Sequence, residues 1–332
     1  MKHLALPDNT PHRLAFYLAM EEFAARELPP DDYFFAWRVL PTVICGRNQD
    51  IPVEVNLDYC RRTGIDVVRR RSGGGCVYAD MNNWMFSYIT PSDEVASTFS
   101  RYTAMIASML ESLGFNAMAT GRNDLMINNR KVAGNAFYHL PGRSIVHGTM
   151  LCDIDFERMG LAITPSRAKL ESKAVKSVQA HITSLKAEGL ALTVERFGEY
   201  AVKYLTGDNS MVLTAQQVKR IEELEQRYYE PAYFEGRTKS SETSAAPSVK
   251  RSLRIEGAGE FFTELWLTPS GRISTLNITG DFFVIGDMED LLGPLRGACY
   301  NRKEISEKLR SANPGAVING LTADGLVSVL IE

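Results

Sequence analysis

The chain has 332 residues, 45% hydrophobic and 23% charged, enough for two soluble domains with a core in each. A net charge of −3 and a pI near 6.0 exclude general affinity for nucleic acid or anionic membranes. Five cysteines stand far apart (Cys45, Cys60, Cys76, Cys152, Cys299), with no C-x-x-C pair and an odd total. That pattern excludes a disulfide framework or zinc ribbon and points to a reducing compartment. Met1 to Thr10 holds no apolar core of signal-peptide length, and no run approaches a membrane span, so a cytoplasmic protein is expected.

In chain order, Thr10-Pro11 offers a cap and a first-turn proline, and Leu14, Tyr17, Leu18 and Phe23 predict a helix up to about Arg26. Pro29-Pro30-Asp31-Asp32 breaks it, and Tyr33–Val39 and Thr42–Cys45 read as strands, with residues 46–49 as a loop. Asn56 caps a short predicted helix that stops at Gly64.

Val67-Val68-Arg69-Arg70-Arg71-Ser72-Gly73-Gly74-Gly75-Cys76-Val77-Tyr78-Ala79-Asp80 is the centre of the sequence. Glycines without Cβ atoms let backbone amides approach a ligand and adopt positive φ, and amide dipoles with guanidiniums suit an anion. The segment that follows, Asn83 to Ile89, reads as a strand, which argues against Walker and Rossmann loops, since those lead into a helix. A glycine-rich hairpin beside a solvated basic face is the plainer alternative.

Val95, Phe99, Tyr102, Ile106, Met109 and Leu113 recur at alternating spacings of four and three within residues 92–114, predicting a scaffold helix packed on a sheet. Gly121-Arg122-Asn123-Asp124 leads into a hairpin turned by Asn128-Asn129, residues that tolerate positive φ. Lys131 begins the return strand, where a lone lysine is ordinarily a solvated charge; Asp124 alone reads as a turn residue. Pro141-Gly142 turns the chain again, and Ser144–Leu151 returns as a strand carrying His147-Gly148-Thr149. His147 lacks a second ligand at a diagnostic spacing and is a poor metal candidate. Lys169 to Leu185, with Lys173 and Lys176, is either a basic solvated helix or a loop over an anionic intermediate.

Thr214 and Gln217 form a capping box for a helix through Leu224, ended by Tyr228 to Pro231. Residues 237–250 read as a linker between a domain at 1–236 and a small α+β domain at 251–332. In the latter, Leu253 and Ile255, Phe261–Leu267 and Ile273–Ile278 are predicted strands, with Ser270-Gly271 as a turn. Two helices (about 289–295 and 301–309) and a last strand at Leu326–Ile331 complete the reading.

Four motifs in this order resemble the lipoate–protein ligases: Arg69-Arg70-x-Ser72-Gly73-Gly74-Gly75-x-Val77-Tyr78-x-Asp80, Gly121-Arg122-Asn123-Asp124, Arg130-Lys131-Val132-x-Gly134-x-Ala136 and His147-Gly148-Thr149-x-Leu151. The resemblance covers nearly the whole chain. It implies an α/β (α+β) mixed-sheet catalytic domain of the biotin/lipoyl ligase type, related to class II aminoacyl-tRNA synthetase cores, plus the accessory domain. The implied activity uses ATP and Mg²⁺ to convert lipoate to lipoyl-adenylate. The lipoyl group then passes to a lysine of a carrier domain, as in 2-oxoacid dehydrogenase complexes and the glycine cleavage H protein.

By the same resemblance, Arg70, Gly73–Gly75, Cys76, Val77 and Tyr78 belong to the nucleotide-binding segment. Lys131 contacts both the phosphate and the lipoyl carbonyl, and Asp124 is a Mg²⁺-site carboxylate with Asn123 and Asn83 as neighbours. Gly134, His147, Gly148 and Thr149 line the lipoyl pocket. Ala79 stands at a position often occupied by histidine, Cys76 at a common alanine, and Gln179 and His181 where relatives usually carry arginines. An acyl-cysteine transferase of the same fold needs a reactive cysteine in the segment held here by Gly121–Asp124, which has none, although Cys76 and Cys152 remain candidates. A biotin ligase lacks support because its arginine-glycine loop is absent, and a non-catalytic lipoate- or carrier-binding protein would not need Lys131 and Asp124.

Overall fold

The computed structural model describes residues 1–8, 10–92, 94–120, 123–163, 181–236 and 246–331. Gly121, Arg122, residues 169–180 of the expected basic helix or loop from Lys169 to Leu185 (with Lys173, Lys176 and Gln179) and residues 237–245 of the expected linker lie outside them. The chain forms two compact units. One comprises Met1–Ile44, Pro52–Arg70 and Val77–Phe234; the other comprises Cys45–Ile51, Arg71–Cys76 and Glu235–Glu332.

The first unit is built on a mixed eight-stranded sheet. Its strands are β1 (Lys2–Ala5), β2 (Tyr33–Trp37), β6 (Trp84–Thr90), β7 (Ala117–Ala119), β8 (Asp124–Ile127), β9 (Arg130–Leu140), β10 (Arg143–Met150) and β11 (Ser210–Val212), in the order β11-β1-β2-β6-β10-β9-β8-β7. β1 runs parallel to both neighbours, and the hairpin strands are antiparallel. A second sheet joins β4 (Asp66–Arg69), β3 (Thr42–Cys45) and β5 (Val77–Ala79).

Strand periodicity assigns the two faces of the large sheet. Phe35, Trp37, Ile89 and Ile145 pack with the helix Leu14–Glu27 and with Ile221 and Leu224 of the helix Ala215–Glu225. Phe34, Phe86, Tyr88 and Val146 pack with Tyr102, Ile106 and Met109 of the helix Val95–Glu111 and Phe197 of the helix Val194–Thr206. Ser87 and His147 alternate with the second set, which turns them toward the helix Leu14–Glu27. Two buried layers on opposite faces explain why neither side of β2 or β6 is polar throughout.

The expected caps at Asn56–Gly64 and Thr214–Gln217 form as hydrogen-bonded structures, and Asn128 and Asn129 take φ of 51° and 59°. The first helix departs from expectation. Thr10 does not cap it: its amide donates to Asp8 Oδ1 at 2.9 Å, and the helix starts at Leu14 after an extended Arg13. Pro231 does more than end the previous helix; it opens a short one, Pro231–Glu235, as a first-turn proline can.

In the second unit, β12 (Val249–Ile255), β13 (Gly259–Leu267) and β14 (Ile273–Gly280) form an antiparallel sheet. β12 begins inside the stretch expected as linker. Phe261, Leu265, Phe282, Ile305, Leu309 and Leu326 share its core. The C-terminal expectation was wrong: Leu326–Ile331 is not a strand but the end of the helix Ala323–Ile331. A short apolar run does not distinguish a strand from a fully buried helical segment. Leu326, Val327, Val329 and Leu330 are all buried, so the run shows no exposed face to betray its period.

Candidate active site

The β8–β9 hairpin carries the two residues with the clearest chemistry. Asp124 stands opposite Gly134 and Leu125 opposite Ala133, but the next residue, Met126, pairs with Lys131. β9 therefore contributes one extra residue, Val132, and this bulge resets the alternation so that Lys131 reaches back over Gly134. Its Nζ lies 2.7 Å from Asp124 Oδ1, with the two side chains 31% and 29% exposed. Gly134 makes the room: a Cβ there would stand 2.7 Å from Lys131 Nζ and 2.8 Å from Cε. Two backbone bonds brace the bulge, from Leu151 N to Val132 O and from Thr183 N to Lys131 O.

Asp124 Oδ1 is buried and, among the described residues, accepts no well-directed hydrogen bond, although the Lys131 ammonium lies 2.7 Å from it. A carboxylate oxygen held this way retains lone-pair capacity for a hard cation. Among the described residues no cluster of three or more His, Cys, Asp and Glu suits a metal ion. Mg²⁺ is commonly held by one or two carboxylates together with substrate phosphates, so a single aspartate is compatible with it.

Around this pair the strands are locked by amide side chains. Asn123 Nδ2 donates to Asn135 O and Asn135 Nδ2 to Asn123 O, each at 3.1 Å. Gly148 lies beneath Asn135, whose Oδ1 would be 2.0 Å from any Cβ placed there. Thr149 Oγ1 donates to Gly134 O at 3.4 Å.

Glu188, a residue that the sequence reading missed, ties this hairpin to the chain beyond it. Its carboxylate accepts from Asn128 Nδ2 at 2.8 Å and Thr183 Oγ1 at 2.6 Å, and it pairs with Arg130. Lys131 and Ile182 form a parallel bridge beside it.

His147 is buried, and its Nδ1 lies 3.0 and 2.9 Å from the two carboxylate oxygens of Glu21. Glu21 is itself fully buried; Ser87 Oγ donates to it at 2.5 Å, and Trp37 Nε1 donates to Ser87 Oγ at 2.9 Å. The sequence reading missed Glu21, Ser87 and Trp37. A signal existed, because Glu21 continues the apolar stripe Leu14-Tyr17-Leu18 at helical spacing. A charged residue on a buried stripe needs a partner within the core.

The remaining expected residues of this unit lie on or just beyond the second sheet and on the β5–β6 turn. Arg70 is buried and its Nη1 donates to Ile44 O at 3.0 Å. Tyr78 is buried, and desolvation pushes its phenol up to about 12. Asn83 is a buried brace: Nδ2 donates to Asp80 Oδ1 at 3.0 Å and Oδ1 accepts from Cys152 N at 3.0 Å. Burial pushes the Cys152 thiol up to about 12, which keeps it protonated and poorly nucleophilic at neutral pH.

The glycine loop belongs to the second unit. Gly73 has no room for a Cβ, because Phe282 O would lie 2.4 Å from it, and Gly74 alone of the three has positive φ, 88°. Gly74 N donates to Phe282 O at 3.3 Å, and Arg47 N donates to Ser72 O at 2.8 Å. The close backbone approach that these glycines permit is thus made, in this structure, to the protein itself.

The model of the lipoyl protein ligase A/B catalytic domain matches residues 13–206, and that of the bacterial lipoate protein ligase C-terminus matches residues 247–330. The chain belongs to the lipoate–protein ligase family. It is 34% identical to lipoate–protein ligase 1 of Staphylococcus aureus over 300 residues, covering 88% of this chain and 89% of that one. It is 30% identical to lipoate–protein ligase LplJ of Bacillus subtilis over 325 residues, 94% and 95% of the two chains. In fold it resembles the lipoate complex of P. falciparum LipL1, with a TM-score of 0.78 at 20% identity over 99% of both chains. A lipoate-protein ligase A bound with ATP has the same fold over 71% of this chain and 98% of its own, with a TM-score of 0.61 at 22% identity. No helix among the described residues is long and apolar enough to cross a membrane.

Proposed function

We propose that this ligase activates lipoate with ATP to lipoyl-adenylate and passes the lipoyl group to a lysine of a lipoyl carrier domain. The observation that carries the mechanism is the Lys131 ammonium lodged over Gly134 against Asp124. In the first step the lipoate carboxylate attacks the α-phosphorus, a P–O bond forms and pyrophosphate leaves. Two anions must approach, so a fixed cation and aligned reactants lower the barrier. Lys131 supplies that cation, and the bulge keeps it from swinging with a mobile side chain. In the second step the acceptor amine attacks the acyl carbon; the same ammonium stabilises the developing oxyanion while AMP departs. No enzyme nucleophile is required, in keeping with the protonated, buried Cys152.

Arg70 and the segment Gly73–Tyr78 are assigned to ATP. Gly74 N reaches a phosphate by exchanging its bond to Phe282 O. Asp124 would hold Mg²⁺, with Asn123 and Asn83 as neighbours, and the ion would offset phosphate charge. Gly134, His147, Gly148 and Thr149 are assigned to lipoate, with Glu21 fixing the imidazole. We assign the chemistry to residues 1–236, and carrier docking or closure to 251–332. Carriers of the 2-oxoacid dehydrogenase and H-protein type, and a cytoplasmic setting, complete the reading; the archaeal neighbour from Thermoplasma acidophilum is described with its E2 lipoyl domain. The test is pyrophosphate release and trapped acyl-adenylate with lipoate or octanoate, with and without a Mg²⁺ chelator. Carrier acylation without ATP would refute it.

A further inference from the structure

We propose that Cys45 and Cys76 form a reversible disulfide that clamps the glycine loop and switches adenylation off under peroxide; the regulatory half rests on the nucleotide assignment above. Cys45 ends β3 and Cys76 immediately precedes β5, whose register pairs Ile44 with Val77. The next pair along the ladder is therefore Cys45 and Cys76, and their Sγ atoms lie 3.7 Å apart. Neither is in a disulfide; Cys45 is wholly buried and Cys76 partly exposed. A disulfide needs about 2.05 Å between sulfurs, so side-chain rotation with little backbone shift closes the gap.

The surroundings make this pair consequential. Cys76 Sγ also points at Gln49 Oε1, 3.2 Å away, and that oxygen accepts from Gly46 N at 2.9 Å. Segment 45–51 is joined to the glycine loop by Arg47 N to Ser72 O and to the C-terminal sheet by Gly280 N to Asn48 O. A bond between the sulfurs withdraws Cys76 from Gln49 and staples the exit of the loop to the entrance of that segment. The loop then loses the freedom to exchange its Phe282 contact for a phosphate.

The chemistry is balanced with a hydroperoxide as oxidant. The sulfur of the partly exposed Cys76 attacks a peroxide oxygen; an S–O bond forms, the O–O bond breaks, and water leaves, giving a sulfenic acid. Cys45 then attacks that sulfur, the S–S bond forms, and the hydroxyl leaves as water with the thiol proton. The two sulfurs lose two electrons in total and the peroxide gains them. A dithiol reductant reverses the sequence by exchange.

The full-length protein is reduced, treated with a small excess of hydrogen peroxide, alkylated and mapped by non-reducing peptide mass spectrometry. A Cys45–Cys76 cross-linked peptide is expected, with lipoyl-adenylate formation falling at least about tenfold, as loop misplacement does, and recovering with dithiothreitol. Cys45→Ala should keep basal activity and show neither cross-link nor reversible loss. Cys45→Val, which fills the buried site, serves if the alanine variant melts early. Both thiols still alkylatable after peroxide, another pairing for Cys76, or equal inactivation of Cys45→Ala would overturn the proposal. A cross-link that leaves adenylation intact overturns its regulatory half. A reduced wild type that makes no adenylate would instead sink the ligase reading, while the peptide map still decides the pair.

Discussion

Gly134→Ala isolates the positioning of Lys131 from the charge itself. A methyl at that position would stand 2.7 Å from Nζ and 2.8 Å from Cε, whereas carbon contacts are favourable near 3.5–4.0 Å. The ammonium must retreat by about 1 Å. Gly134 does not occupy the positive-φ region, and the obstructed atoms end a flexible side chain, so the fold should tolerate the change. A displacement of this size at a reacting centre costs up to about a hundredfold in rate, or about 2.7 kcal/mol. Single-turnover formation of lipoyl-adenylate measures that loss, and thermal unfolding should move by no more than a few degrees. If glycine acts only by seating the lysine, Gly134→Ala added to Lys131→Ala costs nothing further. A multiplicative double-mutant loss, or Gly134→Ala within threefold of wild type on the scale where Lys131→Ala loses about a hundredfold, would refute the reasoning.

Lys131→Ala should slow both adenylation and transfer from synthetic lipoyl-adenylate by about a hundredfold, and Lys131→Arg should not rescue, since a planar fork replaces a compact ammonium; near-normal rates in both steps would make it a surface charge. Glu188→Ala removes the acceptor of Asn128, Arg130 and Thr183 and should destabilise by about 1–3 kcal/mol, read as the urea midpoint; an unchanged midpoint refutes the brace. Cys152→Ala should retain most ATP-dependent activity, whereas a thioester trapped on Cys152 in wild type would favour an acyltransferase.

The candidate site was legible only in part. The Asn128-Asn129 turn follows from residues that accept positive φ, whereas Lys131 read alone is an ordinary strand charge and Asp124 an ordinary turn residue; only the four motifs taken together single them out. The bulge at Val132 was not legible: an extra residue changes the side-chain phase without changing composition. Glu188 was hidden because two of its three partners, Arg130 and Asn128, lie 58 and 60 residues away. Glu21 was within reach, had the apolar stripe been extended one turn and its exception questioned. The helix at Leu326–Ile331 was lost for the opposite reason. Its segment is apolar apart from Ser328, and length and phase are the main signals such a run carries.

Asp80, at the end of the motif that begins with Arg69-Arg70, gives a test of how burial rather than catalysis shapes this region. Its side chain is 6% exposed, and burial raises its pKa above the usual carboxylate value despite the hydrogen bonds from Asn82 N and Asn83 Nδ2. The folded state therefore binds this proton more tightly than the unfolded state. Its contribution to stability is greatest below the unfolded pKa and declines as pH rises through the folded pKa, after which it is level. Both hydrogen bonds end on Oδ1, at 2.9 and 3.0 Å, so Asp80→Asn can keep both acceptor contacts with its amide oxygen while deleting the buried charge. The variant should melt higher than wild type at neutral pH, and the advantage should shrink as pH falls toward the carboxylate range. Thermal unfolding of the two proteins across that range decides it. An asparagine variant that is less stable at neutral pH, with the deficit closing on acidification, would mean that the charge of Asp80 is used in the native state, and its place in the motif would then call for a binding role.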